Sequence, residues 1–306
     1  LINLLFIAED TSNFIDKSIH FLEKELANLT NLIVWRHSGR IENILNNTFN
    51  KPDFILIVND MGFRMTPVLK GLHSIDIPTA LIVNDLHRFT ESRRHYIRKN
   101  NINYIFSIIR DKFLENYPEY KNKMIWLPHS INNKIYKDYN LTKDISLLMM
   151  GAVNESYPLR QKILKTYKGN LELVYHEHPG YQSINKLKRD SLYIDEKYAK
   201  EINRAKIFFT CPSIYSYPIM KYYEALACRS LLLAPTFKEL EDIGFLPGVH
   251  FVDINESNFK EKATYYLNNE HERRKITDEG YKFIHQNHTV QIRAQQIVER
   301  IKQIIY

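Results

Sequence analysis

One carboxylate, Glu224, stands inside the apolar stretch Tyr217-Pro-Ile-Met-Lys-Tyr-Tyr-Glu-Ala-Leu-Ala-Cys-Arg-Ser-Leu-Leu-Leu-Ala-Pro235. Pro218 can occupy the first turn of a helix, where its missing N–H costs nothing. Ala225, Ala227 and Cys228 are small enough for that helix to pack closely, and Leu231–Ala234 reads as a buried strand. A buried carboxylate is costly unless paired. Glu224 therefore either closes a structural ion pair or meets a ligand. Lys221 lies three residues earlier on the same helical face. It is a candidate point charge for a phosphate, or else a solvated surface cation.

A second group follows the apolar run Thr79–Val83. Asn84-Asp-Leu-His87 falls at the carboxyl end of that predicted strand, where Asp85 or His87 could act as a general base. The plainer readings are helix N-capping for Asp85 and an exposed loop for His87. Asn59-Asp60-Met-Gly62 follows another predicted strand in the same way. His176-Glu-His178 has alternating metal-ligand spacing but no nearby third ligand. It reads better as a strand end entering the Pro179-Gly180 turn. A zinc site at His285-Gln-Asn-His288 is disfavoured, and no metal site is expected. The chain has no Gly-x-x-x-x-Gly-Lys loop, Gly-x-Gly-x-x-Gly run or Gly-x-Ser-x-Gly elbow, which removes support for kinase-like, dinucleotide and serine-hydrolase chemistry.

The elements that must position these residues alternate along the whole chain. Predicted strands in the first half are Ile2–Ala8, Leu32–Trp35, Phe54–Val58, Thr79–Val83, Tyr104–Ser107 and Met124–Leu127. Amphipathic stretches lie between them at Phe14–Leu29, Thr66–Leu72 and Ser92–Asn100. After a polar segment over 128–144 the pattern restarts. Strands are expected at Ile145–Met150, Leu171–Tyr175, Ile207–Cys211, Leu231–Ala234 and His250–Val252. Helices are expected at Pro158–Tyr167, Tyr198–Arg204, Ile219–Ala227, Phe259–Leu267, His271–Gln286 and Val290–Ile305. Strand–helix alternation predicts parallel sheets covered on both faces. The reading is an α/β chain of two Rossmann-like domains with a cleft between them, 1–135 and 136–288. Ligands of such sheets bind beyond the carboxyl ends of the strands.

Composition bounds the rest. A chain of 306 residues is comfortable for two domains of about 150. Its 44% hydrophobic and 25% charged residues are those of a soluble globular protein. The net charge is +7, but the cations are dispersed. Nucleic acid is therefore disfavoured, and an anionic substrate or peripheral membrane or envelope contact stays open. Leu1–Ala8 is too short and lacks a basic lead for a signal peptide. The two cysteines, Cys211 and Cys228, give no disulfide framework and fit a cytoplasmic setting.

Several separated motifs resemble the GT-B glycosyltransferases, in particular the CgeB/YkvP-like spore-maturation branch. These are Trp126-Leu-Pro-His-Ser-Ile-Asn132 with Tyr136-Lys137, Gly151 with Tyr157-Pro-Leu-Arg160, and Lys221-Tyr-Tyr-Glu-Ala-Leu-Ala-Cys228. Further along come Phe245-Leu-Pro-Gly248 with His250-Phe251, and Gly280-Tyr281 with His288-Thr289 and Arg293-Ala294. The match is good over 124–294 and loose over 1–123. Two positions depart from the family pattern. Ser216 stands where many retaining members carry a second acid, and Arg229 stands where many have glycine.

The resemblance implies a GT-B fold whose second domain binds a nucleotide-diphosphate sugar, UDP-sugar first among them, as substrate and without a separate cofactor. It implies that Glu224 grips the ribose diol and that Arg160 and Lys221 face the diphosphate. Gly151, His178, Ser216 and Tyr217 would line the same site. Asp85 and His87 would face the acceptor from the first domain, and the last helix, 289–306, would cross back to that domain. The implied reaction is metal-independent glycosyl transfer to a glycan, protein or small-molecule hydroxyl, for which the chain offers no Asp-x-Asp metal clamp. The rivals are a non-catalytic GT-B-like glycan- or nucleotide-binding protein and a sugar-nucleotide 2-epimerase.

Overall fold

The computed structural model describes residues 1–61, 64–180 and 191–306. They form two compact units, one of Leu1–Pro128 with Val290–Tyr306 and one of His129–Thr289. The division falls between Pro128 and His129, whereas the sequence reading placed the domain boundary at 135. The polar stretch after Pro128 is anchored in the second unit. The backbone N–H groups of Tyr139 and Leu141 both donate to Asn203 Oδ1 at 3.2 Å. Asn203 Nδ2 in turn donates to Asp138 and to the Cys228 carbonyl. Ile131 is fully buried.

In the first unit the main elements are β1 (Asn3–Ala8), α1 (Ser18–Leu29), β2 (Asn31–Trp35), α2 (Ile41–Asn46) and β3 (Phe54–Val58). They continue with β4 (Thr79–Val83), α3 (Thr90–Lys99), β5 (Tyr104–Ser107), α4 (Asp111–Asn116) and β6 (Met124–Trp126). The strands form a six-stranded parallel sheet in the order β6-β5-β4-β3-β1-β2. Every residue of Phe54–Val58 and Thr79–Val83 is buried, as a parallel sheet covered on both faces requires. Helix α1 buries Ile19, Leu22 and Leu26, a single face at helical spacing. That face packs in one apolar cluster with Val290, Ala294, Ile297, Val298 and Ile301 of the final helix. Each large aliphatic side chain buried there contributes about 1.5–3 kcal/mol.

Thr66–Leu72 is not a helix. Leu69–Lys70 is a short strand paired with Gly39–Arg40, and the Val68 N–H is taken by Ser38 Oγ. Pro67 supplies no N–H, and Gly71 turns the chain at φ +82°, so helical hydrogen bonding fails at both ends.

The second unit contains β7 (Ile145–Met150), α5 (Pro158–Thr166), β8 (Leu173–His176), α6 (Asp195–Arg204), β9 (Ala205–Phe209) and α7 (Met220–Ala227). After these come β10 (Leu231–Ala234), α8 (Lys238–Asp242), β11 (Val252–Asp253), α9 (Phe259–Asn268) and α10 (Glu270–Asn287), and α11 (Val290–Ile305) closes the chain in the first unit. The sheet is parallel with the order β8-β7-β9-β10-β11. From β7 the chain moves outward to β8 and then returns to β9 on the other side. This reversal opens a crevice beyond the carboxyl ends of β7 and β9, the usual ligand position in such sheets. Among the described residues, no helix is long and apolar enough to cross a membrane.

Candidate functional site

The chain leaves β7 through Gly151, whose φ of +122° lies in a region that L side chains rarely adopt. A Cβ here would sit 2.5 Å from Lys221 Cε and 3.4 Å from an Arg160 nitrogen. The backbone favours glycine here, and a side chain at this position would displace Lys221. The next helix, α5, opens with Pro158, as predicted, and turns Arg160 inward.

Arg160 is only 1% exposed, which rules out a solvated surface cation. Its Nη1 donates to the Ala152 carbonyl at 3.1 Å, and its Nη2 donates to Thr210 Oγ1 at 2.9 Å and to the Cys211 carbonyl at 3.3 Å. The guanidinium also lies 3.9 Å from the Tyr157 ring centroid. Arg160 thus staples the loop after β7 to the loop after β9. Among the described residues, Nε has no hydrogen-bond partner.

Helix α7 carries the remaining groups. It starts at Met220 after an extended Ile219, so Pro218 precedes the helix and is not in its first turn. Residues Tyr222–Ala227 are all buried. The helix ends in a reverse turn in which Ser230 N–H bonds to the Ala225 carbonyl and Arg229 N–H to the Leu226 carbonyl, the Schellman pattern. Its left-handed position is Arg229, at φ +55°. The departure from glycine therefore keeps the turn. Arg229 adds ion pairs to Asp138 at 2.9 Å and Asp278 at 2.8 Å. Close packing on α7 comes from α10, where a Cβ on Gly280 would lie 3.0 Å from Leu226 Cγ of α7 and 2.4 Å from the His250 carbonyl oxygen ahead of β11.

Glu224 is 7% exposed and accepts a 2.7 Å hydrogen bond from the Tyr198 hydroxyl. The same hydroxyl accepts one from Lys221 Nζ at 3.3 Å, and the ammonium sits 5.3 Å from the Tyr198 ring centroid. Burial lowers the Lys221 pKa to about 8; Glu224 opposes that shift and Arg160 reinforces it. His178, two residues beyond β8, accepts the Gly180 N–H on Nδ1. Burial, with the charges of Lys221 and Arg160, pushes its pKa down to about 4. His178 is therefore a neutral imidazole near pH 7, in reach of the same cations. Its neighbour His176 is bound to Glu201 at 2.9 Å.

The structure thus brings Gly151, Arg160, His178, Lys221 and Glu224 to one crevice. Ser216 and Tyr217 belong to the loop that leads from β9 to α7. Ser216 is exposed at φ +53°, and the Tyr217 ring stacks on Tyr215 with centroids 6.0 Å apart. Tyr198 and Thr210 were missed by sequence reasoning. Tyr198 fell within a predicted helix, but no local pattern gives the partner of its hydroxyl, 26 positions away.

In the first unit, Asp85 and His87 follow β4 as expected. Helix α3 begins only at Thr90, with no side-chain cap, so Asp85 does not cap it. The loop is pinned by Asn116 Nδ2 on the Leu86 carbonyl and Arg88 N–H on the Asp85 carbonyl. Burial lowers the His87 pKa; Asp85 opposes this, and Arg88, Arg93 and Lys112 add to it. Asn59 is buried at the end of β3, at the crevice where this sheet reverses between β1 and β3. Asp60 begins a two-residue strand paired with Arg64–Met65, and Gly62 lies outside the described residues.

Residues 160–299 match the family model described as glycosyl transferase-like. No curated protein matches the sequence. Among solved structures, the chain resembles HepE of Anabaena in complex with UDP-glucose, at 9% identity over 99% of this chain and 100% of that one, with a TM-score of 0.66. It resembles the sucrose-phosphate synthase of Thermosynechococcus elongatus at 11% identity over 99% of each chain, TM-score 0.66. It also resembles a glycosyltransferase of Rickettsia africae at 11% identity, over 99% of this chain and 98% of that one, TM-score 0.64. These likenesses show the GT-B fold.

Proposed function

We propose that this chain transfers a sugar from a nucleotide-diphosphate sugar, UDP-sugar first among the candidates, to an acceptor hydroxyl. One observation carries the reading. A buried carboxylate and two cations, Glu224, Lys221 and Arg160, meet at the carboxyl-edge crevice of the second unit, where a nucleotide would lie. Glu224 would accept the ribose hydroxyls. Lys221 and the charge of Arg160 would face the diphosphate and stabilise it as it leaves. The amino end of α7, where Lys221 sits in the first turn, adds a favourable field for an anion. This cationic complement supports transfer without a metal clamp. HepE of Anabaena, which shares the fold, was solved with UDP-glucose, and this supports uridine as the base.

On the acceptor side, His87 is the proposed general base, because its lowered pKa leaves the imidazole neutral at physiological pH and able to take a proton. Asp85, its immediate charged neighbour, would orient it. The motifs that resemble the CgeB/YkvP-like branch make that branch the proposed affiliation. The two buried, unpaired cysteines support a cytoplasmic setting. Arg229 supports an intact site, because it preserves the turn behind Glu224 that a glycine would make.

The test is a thermal-shift screen against UDP, GDP, dTDP, CMP and their common sugars, with and without magnesium. A selective, magnesium-independent rise with UDP or a UDP-sugar is expected. No rise with any nucleotide would reject the donor site.

A further inference from the structure

Glu224 and Lys221 occupy adjacent turns of α7, yet neither is held by α7 alone. The group between them comes from α6. The Tyr198 hydroxyl donates to Glu224 Oε2 at 2.7 Å and accepts from Lys221 Nζ at 3.3 Å. Burial, with Glu224 beside it, raises the Tyr198 pKa well above that of a free phenol, so the proton stays on oxygen and the donation to the carboxylate persists. The ring is locked as well. Tyr198 is 9% exposed, lies edge-on to Tyr136 with centroids 6.3 Å apart, and carries the Lys221 ammonium over its face.

We infer that Tyr198 is a positioning residue of the donor site: its hydroxyl joins the carboxylate that meets the ribose to the ammonium that meets the diphosphate, so the two ends of the nucleotide are gripped in one fixed geometry. The inference rests on the donor-site reading above. A carboxylate has about four lone-pair sites. The bond to Tyr198 occupies one of them and fixes the carboxylate plane. Lys221 is a flexible point charge that would otherwise lose several rotors' freedom on binding. The Tyr198 oxygen and the Gly151 backbone, which a Cβ would bring to 2.5 Å from Lys221 Cε, confine that chain in advance. The groups that bear on the Lys221 charge are Glu224, Arg160, His178 and Tyr198 itself.

The test uses the full chain and three ligands, UDP, uridine and inorganic pyrophosphate, titrated calorimetrically. Tyr198→Phe keeps the ring and removes the hydroxyl. Losing a hydrogen bond to a charged group is expected to weaken UDP binding about tenfold. The pH midpoint of UDP binding should also move down, because Lys221 loses an acceptor that favours its charged form. A purely structural role for Tyr198 would lower the melting temperature and leave that midpoint in place. Lys221→Met reads the coupling from the other end, and does so even if the phenylalanine variant fails to fold. It should weaken uridine several-fold, although uridine has no phosphate for Lys221 to touch.

Unchanged UDP affinity and midpoint in Tyr198→Phe, with Glu224→Ala and Lys221→Met both losing UDP, would overturn the role of Tyr198 and leave the donor site standing. Unchanged uridine binding in Lys221→Met would overturn it too. Wild-type protein that binds none of the three ligands would overturn the donor site and this inference together.

Discussion

Replacing Gly151 by alanine tests how the crevice is built. The backbone at Gly151 has φ +122°, a conformation that costs a non-glycine residue about 1–3 kcal/mol. The added methyl would also stand 2.5 Å from Lys221 Cε and 3.3 Å from Nζ, well inside the roughly 3.5–4 Å at which carbon atoms rest. The Lys221 stem is flexible and would swing away by about 1 Å to restore that contact. The clash itself is then cheap, but Nζ leaves the Tyr198 hydroxyl and the phosphate position. Gly151→Ala is therefore expected to lower unfolding free energy by about 1–3 kcal/mol and to weaken UDP binding about tenfold, the loss of one charge-assisted contact. Urea denaturation reads the first effect and calorimetry the second. A double-mutant cycle separates them. In a Lys221→Met background, Gly151→Ala should still cost the backbone term yet leave the residual UDP affinity unchanged. Wild-type stability together with wild-type affinity in Gly151→Ala would refute both the strain and the Lys221 confinement.

Lys221 should make nucleotide binding and stability respond to pH in opposite directions. Its folded pKa, about 8, lies below the unfolded value, so between those two values the unfolded chain binds more protons and stability rises with pH. UDP affinity should fall as the ammonium discharges through pH 8, and Lys221→Met should stabilise the ligand-free protein near pH 7 while weakening UDP binding. A flat affinity between pH 7 and 9.5 would contradict this. At Arg229, glycine and alanine both lose the ion pairs to Asp138 and Asp278, but only alanine keeps the left-handed strain. Arg229→Ala should therefore be less stable than Arg229→Gly by about 1 kcal/mol; equal melting temperatures would dismiss the turn argument. Gly280→Ala, which would set a Cβ 2.4 Å from the His250 carbonyl, should destabilise by about 1–3 kcal/mol, and a neutral result by denaturation would show that α10 can move off the His250 backbone.

The strands were legible because they are short apolar runs separated by longer amphipathic ones. Phe54–Val58, Thr79–Val83 and Ile145–Met150 have the predicted bounds. Helix Val290–Ile305 was equally plain from its apolar stripe. The chain misled where helical spacing occurred without helical chemistry, as at Thr66–Leu72, where Pro67 and Gly71 break the ladder. At the site, Glu224 stood out as an acid in an apolar helix and Lys221 as its neighbour one turn back. Tyr198 did not stand out, since contacts between α6 and α7 leave no local spacing to read. Arg160 was visible as a cation near a helix start, but its engagement with Thr210 and the Cys211 carbonyl, 50 and 51 positions away, depends on the sheet order. Arg229 stood out as a departure because glycine is the usual left-handed residue. Its ion pairs with Asp138 and Asp278 come from segments far apart in the chain.

The central claim is that Glu224 holds the nucleotide of a sugar donor. Calorimetric titration of UDP into the wild-type protein and into Glu224→Ala, with circular dichroism confirming that both are folded, tests it most directly. Saturable binding to the wild type, lost in Glu224→Ala without a change in fold, is the expected result. Equal UDP affinity in the two proteins would contradict it.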